Sequence, residues 1–275
     1  MIFVCLSKKK AFLLLSNFTN FSNHKSFFLT NCFIAIASKN SFAKNNIGKF
    51  EKISHGFFNR SGGKSIGIYK SLNCGPGSKD KKSKIKQNLK IVKNKINKNA
   101  GKIFLVHQIH SNKFIFIDKH FRIKKKRLMA DAIITNQKKL PIAVLTADCV
   151  PLLIYDKKKN MIAAIHAGWK GAFKEIIKKV IMFMLKKGCK KNDITVAIGP
   201  CIKQKSYNVR ENFQKKFIKK NKKNKIFFKK KKNTIYFDLS NFVKSQLKSI
   251  KIVNIDTINI DTFDKKNNFF SARRS

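Results

Sequence analysis

Apolar residues recur along the chain in two spacings, one typical of helices and one of strands. Ile85, Leu89, Val92 and Ile96 follow one another at three- and four-residue steps, which predicts an amphipathic helix with one buried stripe. Apolar runs of strand length lie at 103–106, 142–146, 152–155, 161–165 and 194–198. Because helices and strands interleave, the pattern predicts a mixed α/β (α+β) fold.

Three further patterns mark helix ends and a loop in the second half of the chain. The stretch "GAFKEIIKKVIMFMLKKG" predicts one helix that stops at Gly188. Asp238 is a good N-cap for the helix predicted over "LSNFVKSQLKSI". The segment Lys215–Lys232 is so rich in lysine that we interpret it as a solvated loop between elements.

The first 50 residues have a different pattern from the rest. They are rich in Phe and Leu, but polar residues interrupt every run before it reaches the roughly 18 apolar residues that a membrane span needs. Lys8–Lys10 precede the short apolar stretch "AFLLL", but no good signal-peptide cleavage site follows it. We therefore interpret 1–50 as an N-terminal extension, poorly ordered or translated from a non-native start, and 51–275 as one folded domain.

The composition is strongly basic, with 62 Lys and Arg against 13 Asp and Glu and a formal net charge of +49. Such a charge favours a polyanionic partner. The basic runs are nearly pure lysine, however, whereas nucleic-acid surfaces usually mix Arg and aromatic residues. We attribute the charge to a general bias toward Lys, Asn, Ile and Phe, and predict no specific nucleic-acid partner and no membrane. Six scattered cysteines without a CxxC pair predict reduced thiols and a cytoplasmic location.

The six arginines are informative because lysine is the default cation in this chain. An arginine retained against that bias indicates a need for its planar, bidentate fork, which suits phosphate and carboxylate. Two of them, Arg122 and Arg127, lie in a lysine run and are predicted to be surface residues. The other four flank the motifs described next; they are Arg60, Arg210, Arg273 and Arg274.

Three separate segments offer side chains that bind metals. They are "VHQIHSN" with His107 and His110, "TADCVP" with Cys149, and "AIHAGW" with His166. The close ligand pairs of a zinc finger are missing, and the spacing is typical of a site assembled from different strands. Two imidazoles and a thiolate suit Zn²⁺ with an open fourth position for water or substrate. Two alternatives stay open: ordinary core residues, or a Cys149–His166 nucleophilic dyad.

Two aspartates lie close in sequence to the candidate ligands. Asp131 belongs to "MADAIIT", and Asp148 directly precedes Cys149. Carboxylates commonly accept the second N–H of a metal-ligating histidine and fix the orientation of its ring. Both aspartates are therefore candidates for orienting an imidazole of the site.

The order of the motifs resembles the laccase-domain or YfiH family, whose members are also called polyphenol oxidases or purine nucleoside phosphorylases. The resemblance runs from about Ile53 to Arg274, and its motifs are "GFFNRSGGKSIGIYKSLNCGPG", "HQIHS", "ADAIIT", "TADCVPLLIYD", "IAAIHAGWKGA", "IGPCIKQKSYNV" and "FFSARR". It implies a single YfiH-like domain of mixed β-sheets flanked by helices. It also implies a metal held by His110, Cys149 and His166, since the family histidine follows a Gln-hydrophobic pair as His110 does.

The resemblance also implies an activity. Family members cleave purine nucleosides such as adenosine, inosine, guanosine and methylthioadenosine with phosphate, giving the base and ribose 1-phosphate, and they deaminate adenosine. Zinc is the implied cofactor, and copper is the alternative for a polyphenol oxidase (laccase). A cysteine-type hydrolase that edits peptidoglycan precursors is the remaining alternative. We expect a monomer that acts on small molecules.

Substrate contacts are assigned to three residues as hypotheses. Arg60 is the first candidate for phosphate, Asn73 for the ribose or base, and Arg274 is a third candidate. Two departures from the family pattern adjoin the terminal motif: Asp261-Thr262 replaces a common Cys-Thr pair, and Ala272 stands where an aromatic residue or His is common. We expect both departures to affect the rim of the substrate site rather than the metal ligands.

Overall fold

The computed structural model of the 275-residue chain describes residues 2–7, 53–122 and 127–274. The strands are β1 (Ile2–Ser7), β2 (Ile53–Phe58), β3 (Phe104–Leu105), β4 (Phe114–Ile117), β5 (Ala132–Thr135), β6 (Ile142–Leu145), β7 (Val150–Asp156), β8 (Met161–Ala167), β9 (Ile194–Ile198), β10 (Asn208–Val209), β11 (Phe228–Lys231), β12 (Thr234–Phe237) and β13 (Asn254–Thr257). The α-helices are α1 (Lys82–Ile96), α2 (Trp169–Phe173), α3 (Ile176–Lys186), α4 (Glu211–Lys220) and α5 (Leu239–Ser249). No α-helix in these described ranges is long and apolar enough to cross a bilayer.

A six-stranded sheet in the order β13-β9-β7-β8-β5-β4 forms the centre of the domain. Every residue of β7 and β8 is buried, which matches their nearly continuous apolar sequences. The two strands form an antiparallel hairpin in which Val150 pairs with Ala167 and Pro151 with His166. This register brings the start of β7 beside the end of β8, where the candidate ligands lie.

A second sheet of four strands, in the order β2-β1-β6-β3, stacks on the first. Strand β1 runs antiparallel to both of its neighbours, so Ile2–Ser7 form part of the domain. The rest of the extension predicted over 1–50, residues 8–50, lies outside the described residues. For that part the interpretation stays a prediction.

Two stacked sheets with helices on the outside, and a small third sheet in the order β10-β12-β11, make a single domain. Successive residues of the central strands, such as Leu152 and Leu153, face opposite sides of the sheet. Leu152 packs with α3 and α5 in one apolar cluster, and Leu153 packs with Phe57 and Val144 between the sheets. A third cluster joins α1 to the outer face of the four-stranded sheet. The prediction of a mixed α/β domain of several sheets flanked by helices is confirmed.

The helical predictions hold with one change. Helix α1 buries Ile85, Val92 and Ile96 as the spacing predicts. The stretch predicted as one helix forms two, because the backbone between α2 and α3 turns through Glu175 at φ +61°. Gly188, at φ +86°, follows the end of α3. Asp238 caps α5, since its side chain accepts from Asn241 N at 2.9 Å.

The prediction of a solvated loop over Lys215–Lys232 is wrong. This segment contains most of α4, a 3₁₀ helix at Lys222–Phe227 and strand β11. Phenylalanines placed among the lysines anchor it: Phe217 is fully buried and Phe227 is nearly so. The lysines face solvent while the aromatic rings reach the core, so the density of charge hides an amphipathic pattern.

Candidate metal centre

The β7–β8 hairpin brings the first two candidate ligands together. Cys149 directly precedes β7 and Gly168 directly follows β8, so the register places the two residues opposite each other. A Cβ built on Gly168 would lie only 2.9 Å from Cys149 Sγ. Because Gly168 has no side chain, the Cys149 thiol fits at this position. The ring of His166, two residues before Gly168, lies next to it.

His110 comes to the same place from a loop. Its backbone adopts φ +56°, an uncommon conformation for a residue with a side chain. Its Nε2 lies 3.9 Å from Cys149 Sγ, and its ring meets that of His166 edge-on at 4.8 Å between centroids. The sequence motif contains Gln108 but does not reveal its role. Its side-chain amide donates to Leu145 O and accepts from Leu145 N, and so fastens this loop to β6.

Asp131 organises both imidazoles although it touches only one ring. Its Oδ1 lies 2.8 Å from His166 Nδ1 and accepts from His110 N at 3.0 Å. Its Oδ2 accepts from the backbone N and the Oγ of Ser111 at 2.6 and 2.7 Å. Because Nδ1 of His166 is engaged in this way, Nε2 is the ring nitrogen that remains for a ligand.

The three donors fit a metal ion. One ligand atom each of His110, Cys149 and His166 lies within 4.8 Å of the other two. Tetrahedral zinc with bonds of about 2.0 Å to nitrogen and 2.3 Å to sulfur separates N and S by about 3.5 Å. The 3.9 Å between His110 Nε2 and Cys149 Sγ therefore needs only a small contraction. Two imidazoles and a soft thiolate, held by a carboxylate behind one ring, suit zinc or copper.

The electrostatics of the site favour the ligand form of the thiol. Burial alone raises the pKa of Cys149, but the charge of His166 and the hydrogen bond with His110 outweigh it and lower the pKa to about 6. Burial alone lowers the pKa of His166, whereas the charge of Cys149 and the hydrogen bond with Asp131 raise it to about 9. The thiolate, which is the form that binds metals and attacks electrophiles, is thus stabilised.

Exposure falls from one side of the site to the other. His110 is exposed, Cys149 is half-buried, and His166 is only 3% exposed. The donors therefore face solvent on the His110 side and the protein core on the His166 side. A metal held by the three donors would be accessible to a small molecule from the His110 side.

Asp148 accepts hydrogen bonds from the C-terminal segment and not from an imidazole. Its carboxylate accepts from Thr262 Oγ1 at 2.8 Å, from Ser271 Oγ at 2.9 Å and from Arg273 N at 2.9 Å. Asp148 itself takes φ +83°, directly before Cys149. It therefore positions the last residues of the chain beside the site. The partners lie more than 100 positions away in sequence, and no local pattern connects them.

The three predicted substrate residues have different surroundings. Asn73 bonds Ser78, Asp80 and Gly75 within its own loop. Arg274 donates to the backbone carbonyls of Thr262, Phe263 and Phe269. Arg60 donates through Nε to Lys70 O, and its guanidinium lies 4.9 Å from the Phe270 ring. Asn73 and Arg274 thus hold loops together. Their roles in substrate binding stay predictions.

Fold and site together define a class of protein: a single α/β domain of two stacked sheets with a His–Cys–His donor group beside its central hairpin. The chain belongs to the multi-copper polyphenol oxidoreductase laccase family, whose model matches residues 54–275. The resemblance seen in the sequence motifs is thereby confirmed.

Several relatives within this family are similar over most of the chain. A purine nucleoside phosphorylase of Bacteroides thetaiotaomicron is 30% identical over 240 residues, which are 83% of this chain and 89% of the relative. One of Haemophilus influenzae is 31% identical over 218 residues, 78% of this chain and 86% of the relative. The crystal structure of the hypothetical protein YfiH of Bacillus licheniformis superposes with a TM-score of 0.72 at 26% identity, covering 78% of this chain and 85% of the other.

Proposed function

We propose that the chain is a zinc-dependent purine nucleoside phosphorylase that also deaminates adenosine. Its substrates are adenosine, inosine, guanosine and methylthioadenosine, which phosphate cleaves to the free base and ribose 1-phosphate. The observation that carries the proposal is the convergence of His110, Cys149 and His166 to within 4.8 Å, in a chain similar to relatives named for this activity.

Zinc is preferred to copper because of the number of donors. Within the part of the chain that the structure describes, His110, Cys149 and His166 make the one group of three such side chains close enough to share an ion. Several copper ions, as the family name suggests, would need more donors than this group contains. One zinc with a vacant position matches the donor set.

The residues of the site have distinct tasks in the proposed reactions. Zinc supplies a Lewis acid that makes water nucleophilic near neutral pH. Asp131 holds the His166 ring with Nε2 directed at the site. Gly168 leaves room for the Cys149 thiolate, and the exposed His110 side admits the nucleoside. For phosphorolysis the protein must in addition hold a phosphate ion and deliver a proton to the departing purine.

The remaining assignments follow from the same proposal. Arg60 is the strongest of the predicted substrate residues, because its guanidinium donates one hydrogen bond among the described residues and its terminal nitrogens stay available. Asn73 and Arg274 are proposed to shape the loops around the substrate. We assign catalysis to the domain 51–275, acting as a cytoplasmic monomer.

A cysteine-type hydrolase is the second candidate, and one observation favours it. The lowered pKa of Cys149 beside two imidazoles is also what a nucleophilic thiolate requires. The two candidates differ in whether the thiolate binds a metal or attacks the substrate directly.

Metal analysis combined with an activity assay tests the proposal. We expect the purified protein to contain about one zinc per chain and to convert inosine and phosphate to hypoxanthine and ribose 1-phosphate. Cys149→Ala is expected to lose both the zinc and the activity. Cys189→Ala is the matched control, because this buried thiol lies near Met161 at the far end of the hairpin and is expected to leave both unchanged.

Two outcomes contradict the proposal. A fully active preparation without bound metal, inactivated by thiol alkylation, would show that the Cys149 thiolate attacks the substrate directly, and the zinc mechanism would be wrong. If the zinc-loaded protein releases no base from any of the four nucleosides, the metal site is supported and the phosphorylase activity is contradicted.

A further inference from the structure

An open polar groove of about 780 Å³ lies between helix α4, the strands β10–β12 and the C-terminal residues. Most of its lining is polar or cationic: Asn208, Val209, Arg210, Glu211, Gln214, Lys230, Asn233, Thr234, Ile235 and Arg273. The single acidic side chain in this lining, Glu211, is paired with Lys215 at 2.8 Å. The uncompensated charge of the groove is therefore positive.

The kind of cation in the groove sets it apart from the general surface. Only six of the 62 basic residues of the chain are arginines, and two of these six, Arg210 and Arg273, line this one groove. A bias that fills surface positions with lysine does not explain such a pair. The planar fork of arginine gives two parallel hydrogen bonds to a phosphate, which lysine cannot do.

Both guanidinium groups have N–H donors available for a ligand. Arg273 lies 4.9 Å from the Tyr207 ring and donates from one Nη to Asn208 Oδ1, which fixes the plane of the group and leaves its other nitrogens available. Arg210 makes no side-chain hydrogen bond within the described ranges, so its whole fork remains free. Lys230 adds a third cation to the lining of the groove.

The groove begins beside the candidate metal centre. Arg273 N donates to the carboxylate of Asp148 at 2.9 Å, and Asp148 is the residue before Cys149. Standard bond lengths then limit the distance between the Cα atoms of Cys149 and Arg273 to at most about 12 Å. Tyr207, whose ring lies 4.9 Å from the Arg273 guanidinium, is influenced by the charges of both Cys149 and Arg273. The side chain of Arg273 is therefore a neighbour of the metal centre.

We propose that Arg210 and Arg273, rather than Arg60, bind the inorganic phosphate that attacks the nucleoside, an inference that rests on the phosphorylase activity proposed above. A phosphate oxygen forms a bond to ribose C1′ while the bond from C1′ to the purine nitrogen breaks. The electron pair of that bond stays on the purine, which takes the proton that the phosphate carried. The products are the neutral base and ribose 1-phosphate, so atoms and charge balance.

Phosphate kinetics of arginine variants test the inference. Arg210→Gln and Arg273→Gln each remove a charge-assisted hydrogen bond, and we expect the KM for phosphate to rise at least about tenfold. The KM for inosine and the deamination of adenosine, which uses no phosphate, are expected to change less than about twofold. Arg122→Gln removes the same charge from an exposed loop and serves as the matched control.

Direct binding separates this inference from the proposed function. Calorimetry with inorganic phosphate is expected to give a tighter Kd for the wild type than for either glutamine variant, even if no nucleoside is cleaved. Weaker phosphate binding in the variants, without cleavage of any nucleoside, would support the phosphate site in the groove and contradict the phosphorylase activity.

If the KM and Kd for phosphate are unchanged in both variants but rise in Arg60→Gln, the phosphate site in the groove is wrong and the phosphorylase activity is supported. Arg210→Gln keeps the test valid if Arg273→Gln fails to fold, because the Arg210 side chain makes no hydrogen bond to any residue that the structure describes.

Discussion

At the scale of single residues, one glycine determines how closely the three donors approach. Gly168 lies at φ −68°, which any residue can adopt, so the position does not demand glycine for its backbone conformation. It demands glycine for space, because a Cβ there would meet both Cys149 Sγ and His110 Cδ2 at 2.9 Å. A single methyl group would therefore separate the thiol from the imidazole.

Gly168→Ala is expected to weaken zinc binding at least about tenfold while lowering the free energy of unfolding of the metal-free protein by less than about 2 kcal/mol. The added methyl displaces His110 and Cys149, which lie at the surface side of the site and can move. A competition titration with a zinc chelator measures the first effect and denaturant unfolding the second.

Gly77→Ala is the matched control for this substitution. A Cβ at Gly77 meets no atom within 4 Å, so neither zinc affinity nor stability should change. If Gly168→Ala binds zinc as tightly as the wild type, the thiol and His110 do not share an ion in the way we propose.

Sequence reasoning brought His110, Cys149, His166 and Asp131 into one hypothesis because each lies in a short motif beside an apolar run. It could not foresee how Asp131 divides its two oxygens between a ring and a loop, since that depends on the exact path of residues 109–111. The partners of Asp148 come from the far end of the chain, and only the folded structure brings them together.

At the scale of elements, the lysine-rich segment is held by aromatic packing. The ring of Phe217 on α4 lies within 6.5 Å of six other aromatic rings, between centroids, and is fully buried. Helix α4 therefore docks onto α2, β12 and α5 through Phe217, and Phe213 adds contacts with Trp169 and Phe237. The same helix forms a wall of the groove that contains Arg210.

Phe217→Ala is expected to lower the free energy of unfolding by about 3–5 kcal/mol, because it removes a large side chain from a rigid aromatic cluster. Lys219→Ala, on the exposed face of the same helix, should change it by less than about 0.5 kcal/mol. Urea unfolding followed by circular dichroism measures both. Equal, small effects would show that the segment is the solvated loop that its composition suggests.

The elements that the sequence predicted well are those whose conformation depends least on contacts with distant residues. The central strands β7, β8 and β9 and the helices α1 and α5 carry strong patterns of their own. The break between helices α2 and α3 at Glu175, and the secondary structure within Lys215–Lys232, depend on contacts with distant residues. A count of charges along the chain does not reveal which phenylalanines reach the core.

At the scale of the whole molecule, a histidine lies in the interior of the domain. His55 belongs to β2 and is only 1% exposed, on the same face of the strand as Ile53 and Phe57, which pack between the sheets. Burial lowers the pKa of His55 to about 4. The folded protein therefore keeps this ring neutral at a pH where the unfolded chain protonates it.

Acid is expected to destabilise the fold through His55. Between about pH 6.5 and pH 4 the unfolded state binds a proton at this residue and the folded state does not, so stability falls as the pH is lowered through this window. The shift corresponds to about 3 kcal/mol, present in full above pH 6.5 and lost below pH 4.

Unfolding measured across this range in His55→Gln should lack that loss of about 3 kcal/mol, whatever the variant's stability at neutral pH. His120→Gln removes an exposed histidine and should follow the wild type. A wild-type profile no steeper than that of His55→Gln would show that the ring is hydrated or already charged in the folded state.

The loop that carries His110 is fastened to both layers of strands. Gln108 bonds Leu145 at the end of β6, whereas Asp131, just before β5, holds the amides of Ile109, His110 and Ser111. Cys149 and His166, by contrast, flank or belong to strands of the six-stranded sheet alone. Any sliding of one layer over the other would therefore pull one donor away from the remaining two. An ion held by all three donors would resist this sliding, and the mechanical stiffness of the sandwich would then depend on its metal content.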